Sequence, residues 1–310
     1  SLKPLVEMDL IPKEETLISF TNTGSFKRVK PDTYKAQHRG GKGIIGTKLG
    51  GEDYVSEVMI ANTHDTVLIF SRSGVVYKLK AYEIPEKKRD QKGELFFDLF
   101  SGSRSNEALA AVFALPEKNV KERFLVFATR RGKIKKTALA AYEHITKAGL
   151  IAMNVPRDDE LKFVLPAIGT EDAVLVTRRG QSIRFPAKAL RPQGRRASGV
   201  RGIRLKKDDE VVSLTLVSPE EKGTYLLTVA EHGYGKRSHF GEFRRQGRGG
   251  SGIRAQKVTA KTGAVASVCC TTDGSEEELL VMTRLGKVLR TPLKNIPKLG
   301  RSTQGVRVIR

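Results

Sequence analysis

Residues 17–29 read LISFTNTGSFKRV: an apolar β-branched run, a short polar turn ending at Gly24, then basic and apolar residues in alternation. Glycine supplies the positive φ of a tight hairpin turn, and alternation with period two marks a strand with one buried face. The pattern returns as VLIFSRSGVVYKL (67–79), FLVFATRRGKIKK (124–136), AVLVTRRGQSIRF (173–185), LLTVAEHGYGKRS (226–238) and LLVMTRLGKVLRT (279–291). Its turn glycines, Gly24, Gly74, Gly132, Gly180, Gly233 and Gly286, lie 50, 58, 48, 53 and 53 residues apart. Six hairpins at one period define a repeat architecture.

A second glycine follows each hairpin: Gly43, Gly93, Gly149, Gly199, Gly252 and Gly305, at offsets of 19, 19, 17, 19, 19 and 19 from the turn. An apolar strand comes next in five units: VSEVMI (55–60), LAAVFAL (109–115), LKFVLPAI (161–168), EVVSLTLV (210–217) and GAVASVCC (263–270). The sixth unit ends before that strand, and residues 4–10 precede the first hairpin, so they are expected to fill part of the unfinished unit. Apart from an ambiguous stretch from Thr137 to Ile145, no segment carries a helical period. Short strands with Gly turns predict an all-β fold. No unit can bury its own apolar face, so the expectation is a closed, propeller-like array of six blades, at about 1–62, 63–119, 120–169, 170–221, 222–277 and 278–310, forming a single domain. Closure also removes the bare sheet edges of an open stack.

The chain of 310 residues carries 56 Lys and Arg against 34 Asp and Glu, a net charge of +22, with 39% apolar residues. That apolar content supports a core and excludes disorder of the whole chain. The longest apolar run, Ala108 to Leu115, is far short of a membrane span, and no signal-peptide pattern opens the chain at Ser1. Cys269 and Cys270 are adjacent in a strand and read as free thiols in a reducing, cytoplasmic compartment. The five histidines are scattered without metal spacing or a triad, so neither a metal site, a cofactor nor catalysis is expected.

A charge of this size points to a polyanion, nucleic acid before an anionic membrane surface. Residues 51–115 sum to a net −2, whereas every other unit carries +4 or +5. The basic residues recur at two places in the repeat. One set follows the turn glycine: Lys27, Arg28, Lys78, Lys133, Lys135, Arg184, Lys236, Arg237, Lys287 and Arg290. The other flanks the second glycine: Arg39, Lys42, Arg195, Arg196, Arg201, Arg204, Arg244, Arg245, Arg248, Arg254, Arg301 and Arg307. In a radial array equivalent positions share one rim. The expected result is a basic belt with a gap at QKGELFFDLF (91–100). Such a belt suits the backbone of a bent duplex. Single-strand binding would need stacking aromatics, and these are 6% of the chain, with no Trp.

Gly41–Gly46 and Gly247–Gly252 both satisfy G-x-G-x-x-G, but each follows a basic loop rather than a strand leading into a helix. A dinucleotide site is therefore not expected, and neither matches a P-loop. Glycines beside Arg and Lys instead free backbone N–H groups to meet phosphate. QHRGGKG (37–43) resembles the QRRGGKG box in the C-terminal domain of the bacterial DNA gyrase A subunit, of the type IIA topoisomerase family. The repeat LxxFTxxGxxKR, its count of six and QGRGGSGIRAQK (246–257) are similar to that domain across the whole chain. The resemblance implies a six-bladed β-pinwheel that wraps duplex DNA so that the ATP-driven holoenzyme introduces negative supercoils. It implies a box of Gln37, His38, Arg39, Gly40, Gly41, Lys42 and Gly43, with His38 in place of the usual Arg. It also implies a monomeric domain working in the bacterial cytoplasm, at the nucleoid, with the A-subunit cleavage core and the B subunit in an A2B2 assembly. ATP and magnesium belong to the holoenzyme, and the catalytic tyrosine to a different domain.

The His38 departure leaves the C-terminal domain of a topoisomerase IV A subunit as the alternative, since that relative has a similar pinwheel. A propeller scaffold for proteins predicts WD or kelch signatures, which need Trp or a regular Gly doublet, and the chain has neither.

Overall fold

The hairpin turns of the first five repeats are closed from within. The amide of the turn glycine donates to the carbonyl three residues back, at 3.0 Å for Gly24 to Thr21 and 2.9 Å for Gly180 to Thr177. In four units the hydroxyl at that earlier position also accepts the amide after the glycine: Ser25 to Thr21, Val75 to Ser71, Lys133 to Thr129 and Gln181 to Thr177. A Thr or Ser three residues before Gly thus fixes the turn and the register of the strands it joins.

The computed structural model describes residues 11–21, 23–30, 55–88, 91–100, 107–117, 122–220, 223–273, 278–282 and 288–308. The first repeat forms β1 (Glu15–Thr21), β2 (Ser25–Val29) and β3 (Val55–Asn62). The second forms β4 (Thr66–Ser71), β5 (Val75–Lys80), β6 (Glu94–Leu95) and β7 (Leu109–Leu115). The third forms β8 (Phe124–Thr129), β9 (Lys133–Ala138), β10 (Leu150–Ile151) and β11 (Leu161–Ala167). The fourth forms β12 (Asp172–Thr177), β13 (Gln181–Pro186), β14 (Val200–Arg201) and β15 (Val211–Val217). The fifth forms β16 (Thr224–Ala230), β17 (Tyr234–His239), β18 (Ile253–Arg254) and β19 (Val265–Thr272), and the sixth β20 (Glu278–Met282), β21 (Val288–Pro292) and β22 (Val306–Arg307).

The sheets do not follow the contiguous blades expected from the repeat. Their orders are β3-β1-β2-β6, β10-β5-β4-β7, β11-β8-β9-β14, β15-β12-β13-β18 and β19-β16-β17-β22. In every case the two-residue strand after the second glycine joins the hairpin of the preceding repeat. The count is also corrected. Among the described residues five blades have four strands, and the sixth hairpin, β20 with β21, forms a sheet of two. Residues 4–10, expected to complete it, lie outside the described residues, as do the box at 37–43 and Lys287.

The lending of strands explains the second glycine. At Gly252, φ is +71° and an added Cβ would stand 2.2 Å from the Ser182 carbonyl of the preceding hairpin; at Gly199 it would meet the Ile134 carbonyl at 2.7 Å. Only glycine lets the crossing chain approach that closely. The third strand pairs on the other side of the hairpin, with a β-bulge at its start in all five blades, as between Phe20 and Thr21 or Val176 and Thr177. Each bulge sharpens the local twist.

Two compact units divide the chain. One comprises residues 1–120, 145–150 and 281–288, the other 121–144, 151–280 and 289–310. The first has a core of Ile18, Phe20, Phe26, Val67, Ile69, Tyr77, Phe96 and Phe100. Phe96 and Phe100 come from the QKGELFFDLF stretch expected to be a gap in a belt; α1 (Phe96–Leu99) turns both rings inward, 5.1 Å and 5.0 Å from Tyr77. In the second unit Val126, Leu175, Ile183, Phe185 and Leu214 fill the space between the third and fourth blades, and Val174, Leu226, Phe240, Phe243 and Val265 that between the fourth and fifth. The ambiguous Thr137–Ile145 stretch contains only a 3-10 turn, Leu139–Tyr142. No helix among the described residues is long and apolar enough to cross a membrane.

Candidate nucleic-acid interface

The basic residues after the turn glycine, expected on the rim, are corrected by the structure: several are pins that hold the crossing segment. Lys27 is buried and donates to the Gln91 carbonyl at 2.8 Å, and Arg28 donates to the Ile84 carbonyl while pairing with Glu86 at 2.6 Å. Lys136 donates to the Ala187 carbonyl, Arg237 to that of Ile296, and Arg184 to those of Phe240 and Phe243. Lys135 donates to the carbonyls of Ala152 (2.6 Å), Gly194 (3.3 Å) and Arg195 (2.6 Å); Lys236 to those of Gly300 (2.8 Å) and Arg301 (2.5 Å). Burial, reinforced by the Arg195 charge, lowers the Lys135 pKa to about 8. Burial lowers that of Lys236 to about 7, with Arg301 adding to the shift and Glu242 opposing it. Burial pushes the Tyr142 phenol well above its ordinary value, and its hydroxyl donates to the same Ala152 carbonyl.

Pinned this way, the crossing segments run in one register. The amide three residues after the second glycine donates to the turn-glycine carbonyl of the preceding repeat: Gly202 to Gly132, Ala255 to Gly180, Val308 to Gly233 and Phe96 to Gly24, at 2.7–2.9 Å. The residue just before each of those donors is therefore equivalent from blade to blade. It is Arg201, Arg254 and Arg307 in the second unit, all exposed, and the exposed Leu95 in the first.

Neighbouring segments also touch. Gly249 donates to the Gly202 carbonyl and Arg204 to that of Gly250, and the Arg248 guanidinium reaches the Arg201 carbonyl. One repeat on, Lys257 donates to the Thr303 carbonyl and the Arg301 guanidinium to that of Arg254. Arg196 and Arg204 are exposed beside them and Arg195 is half-buried. Arg307 lies over the Tyr234 ring. Arg245 is different: half-exposed, it is tied to the fully buried Asp172 at 2.9 Å, the carboxylate that also holds Arg184.

Several cations at the turn end of the blades are paired with carboxylates. Glu160, Arg130, Glu210, Arg178 and Glu231 form a chain of ion pairs from the third blade to the fifth. Beside it an open groove of about 1140 Å³ mixes Arg131, Lys206 and Lys207 with Asp158, Asp159, Asp208 and Asp209. By contrast, Arg195, Arg196, Arg201, Arg204, Arg248, Arg254, Arg301 and Arg307 pair with no carboxylate among the described residues. The crossing segments of the second unit therefore carry a run of cations that attracts anions. Sequence reading passed over Lys206, Lys207 and Lys257; exposure, a tertiary property, distinguishes them, and the Asp208–Asp209 pair after the first two masked their charge.

Blades that borrow their outer strand from the next repeat, with arginine at the second position of three of the five borrowed strands, define a propeller-like, all-β module with a cationic edge. The chain belongs to the family described as DNA gyrase C-terminal domain, beta-propeller, which matches residues 15–62, 65–94, 123–167, 171–218, 224–268 and 277–310. It is 40% identical over 306 residues to the DNA gyrase A subunit of Staphylococcus aureus (strain NCTC 8325 / PS 47), covering 99% of this chain and 34% of the relative. The chain thus spans about a third of the length of the relatives it matches. A solved DNA gyrase A C-terminal domain superposes with a TM-score of 0.76 at 27% identity, covering 96% of this chain and 95% of the other. The C-terminal domain of DNA topoisomerase IV gives 0.76 at 22% identity, over 96% and 90%, a likeness of fold.

Proposed function

We propose that this chain binds duplex DNA and wraps it, as the C-terminal domain of a gyrase A subunit, and carries out no catalysis itself. The observation that supports this reading is the recurrence of Arg201, Arg254 and Arg307 at one register position, exposed and without carboxylate partners among the described residues. Phosphate groups supply affinity and register without reading sequence, and contacts repeated along a curve offset the bending of a 20–30 bp duplex, about 1–6 kcal/mol. In this reading the box Gln37, His38, Arg39, Gly40, Gly41, Lys42 and Gly43 clamps one end of the DNA. The partners are the A-subunit cleavage core and the B subunit in the bacterial cytoplasm, where ATP and magnesium act in other domains. Wrapping presents a crossing segment of fixed hand for strand passage.

The test is topological. A nicked plasmid is ligated with the chain bound, stripped of protein and resolved for linking number. Wrapping shifts the distribution in proportion to bound chain. An unchanged distribution on saturated plasmid would reduce the reading to binding without wrapping.

A further inference from the structure

Three residues after the turn glycine the first five repeats carry Lys27, Tyr77, Lys135, Ile183 and Lys236 in turn. All but Ile183 and Tyr77 send an ammonium to main-chain carbonyls of the crossing segment of the next repeat. The blade itself has no need of the charge, because Ile183 and Tyr77 occupy the same place in four-stranded sheets of the same kind. Ammonium groups at this depth are costly to desolvate, and their lowered pKa values report that cost. The hydrogen bonds show where the charge acts. Lys135 spends its three N–H groups on Ala152, Gly194 and Arg195; Lys236 reaches Gly300 and Arg301. Both lysines therefore reach the carbonyls five and four residues before the second glycine, and the later of the two belongs to an arginine of the cationic edge.

We propose that Lys135 and Lys236 are positioning residues for DNA contact, each holding the loop from which Arg195 or Arg301 meets a phosphate. The proposal rests on the DNA-binding reading above. In the repeat with Ile183 the side chain is no donor, and the corresponding Arg248 is held instead by its own guanidinium on the Arg201 carbonyl and by the Gly249 to Gly202 bond. The lysine thus supplies one of the bonds that fix a Gly-rich, basic loop with few main-chain bonds of its own, and at Arg301 it acts beside the guanidinium bond to the Arg254 carbonyl. Between Arg191 and Ser198 those are Gln193 to Lys136 and Ala197 to Gly194.

The experiment is a double-mutant cycle on the 310-residue chain, binding a labelled duplex of about 60 bp and random sequence across a salt series. Lys135→Ile takes the residue of the neighbouring blade; it is combined with Arg195→Ala, and Lys236→Ile with Arg301→Ala. The expected result is that Lys135→Ile lowers the magnitude of the log K against log[salt] slope by about 0.9, one phosphate contact. It should do nothing further in the Arg195→Ala background. Equal losses in both backgrounds, or an unchanged slope, would overturn the proposal while leaving DNA binding intact. If both Lys→Ile variants fail to fold by urea titration, the lysines serve the blade and the proposal is wrong. If the unmutated chain does not bind the duplex, the DNA reading fails first and the positioning role falls with it.

Discussion

The Arg248 guanidinium donates to the main-chain carbonyl of Arg201 at 3.4 Å, and one repeat later Arg301 does the same to Arg254 at 2.8 Å. Each bond ties an arginine before one second glycine to an arginine after the previous one. Each guanidinium is thus anchored on the main chain of the neighbouring segment, and the Arg301 amide also donates to the Glu242 carboxylate at 2.9 Å. None of the four guanidinium groups forms an ion pair among the described residues, so this stretch attracts anions such as phosphate.

Reversing Arg201 and Arg254 to Glu should therefore weaken duplex binding far more than reversing Lys87 and Lys88. Lys87 already pairs with Glu94 at 2.8 Å in the first unit. The loss should be tenfold or more against less than about threefold, with a smaller salt slope only for the arginine pair. Binding isotherms at matched salt decide it; equal losses would mean that net charge alone governs affinity.

The box is tested in reassembled enzyme. Replacing Arg39 and Lys42 with Ala removes two of many charges, so duplex affinity should fall by roughly tenfold or less. Negative supercoiling should be lost while relaxation persists, because a clamp at one end of a bent duplex opposes its elastic recoil. Both activities are read side by side on the same plasmid; supercoiling at the normal rate would exclude the clamp.

Asp172 is fully buried and accepts from Arg184 at 2.7 Å and Arg245 at 2.9 Å. Asp172→Ala strands the Arg184 guanidinium, which is buried against the Phe240 ring. The expected cost is about 3–5 kcal/mol, seen as a lower urea midpoint. Arg245→Ala, removing the half-exposed partner, should cost about 1 kcal/mol or less.

Stability should rise as pH increases from about 7 towards 10. The folded pKa of Lys236 is about 7 and that of Lys135 about 8, against 10.5 in the unfolded chain. Over that window the unfolded state binds more protons, so deprotonation favours folding. The groups facing these amines are Glu242 and Arg301 for Lys236, and Arg195 for Lys135. From about pH 10 the Tyr142 phenol opposes this rise, because it stays protonated in the fold and ionises when unfolded. Urea midpoints measured from about pH 6.5 to about 9 should climb in the parent chain and climb less in Lys236→Met.

From residues alone, the hairpins were legible because alternation and a short polar turn ending at Gly are local signals; the Thr or Ser that fixes the turn showed only in its hydrogen bonds. The all-β class and the register of the second glycine followed for the same reason. What the sequence could not separate was Lys27 from Arg201, two basic residues near glycines in the same repeat. One is buried on a carbonyl of the next repeat; the other is exposed. The difference arises from the exchange of two-residue strands such as Val200–Arg201, too short to show a period, whose partners lie more than sixty residues away at Lys133 and Ile134. Local chemistry determined that there would be hairpins and how many cations they would carry. Long-range pairing decided which cations became internal pins and which stayed exposed, because only packing sets which side of a strand meets another main chain.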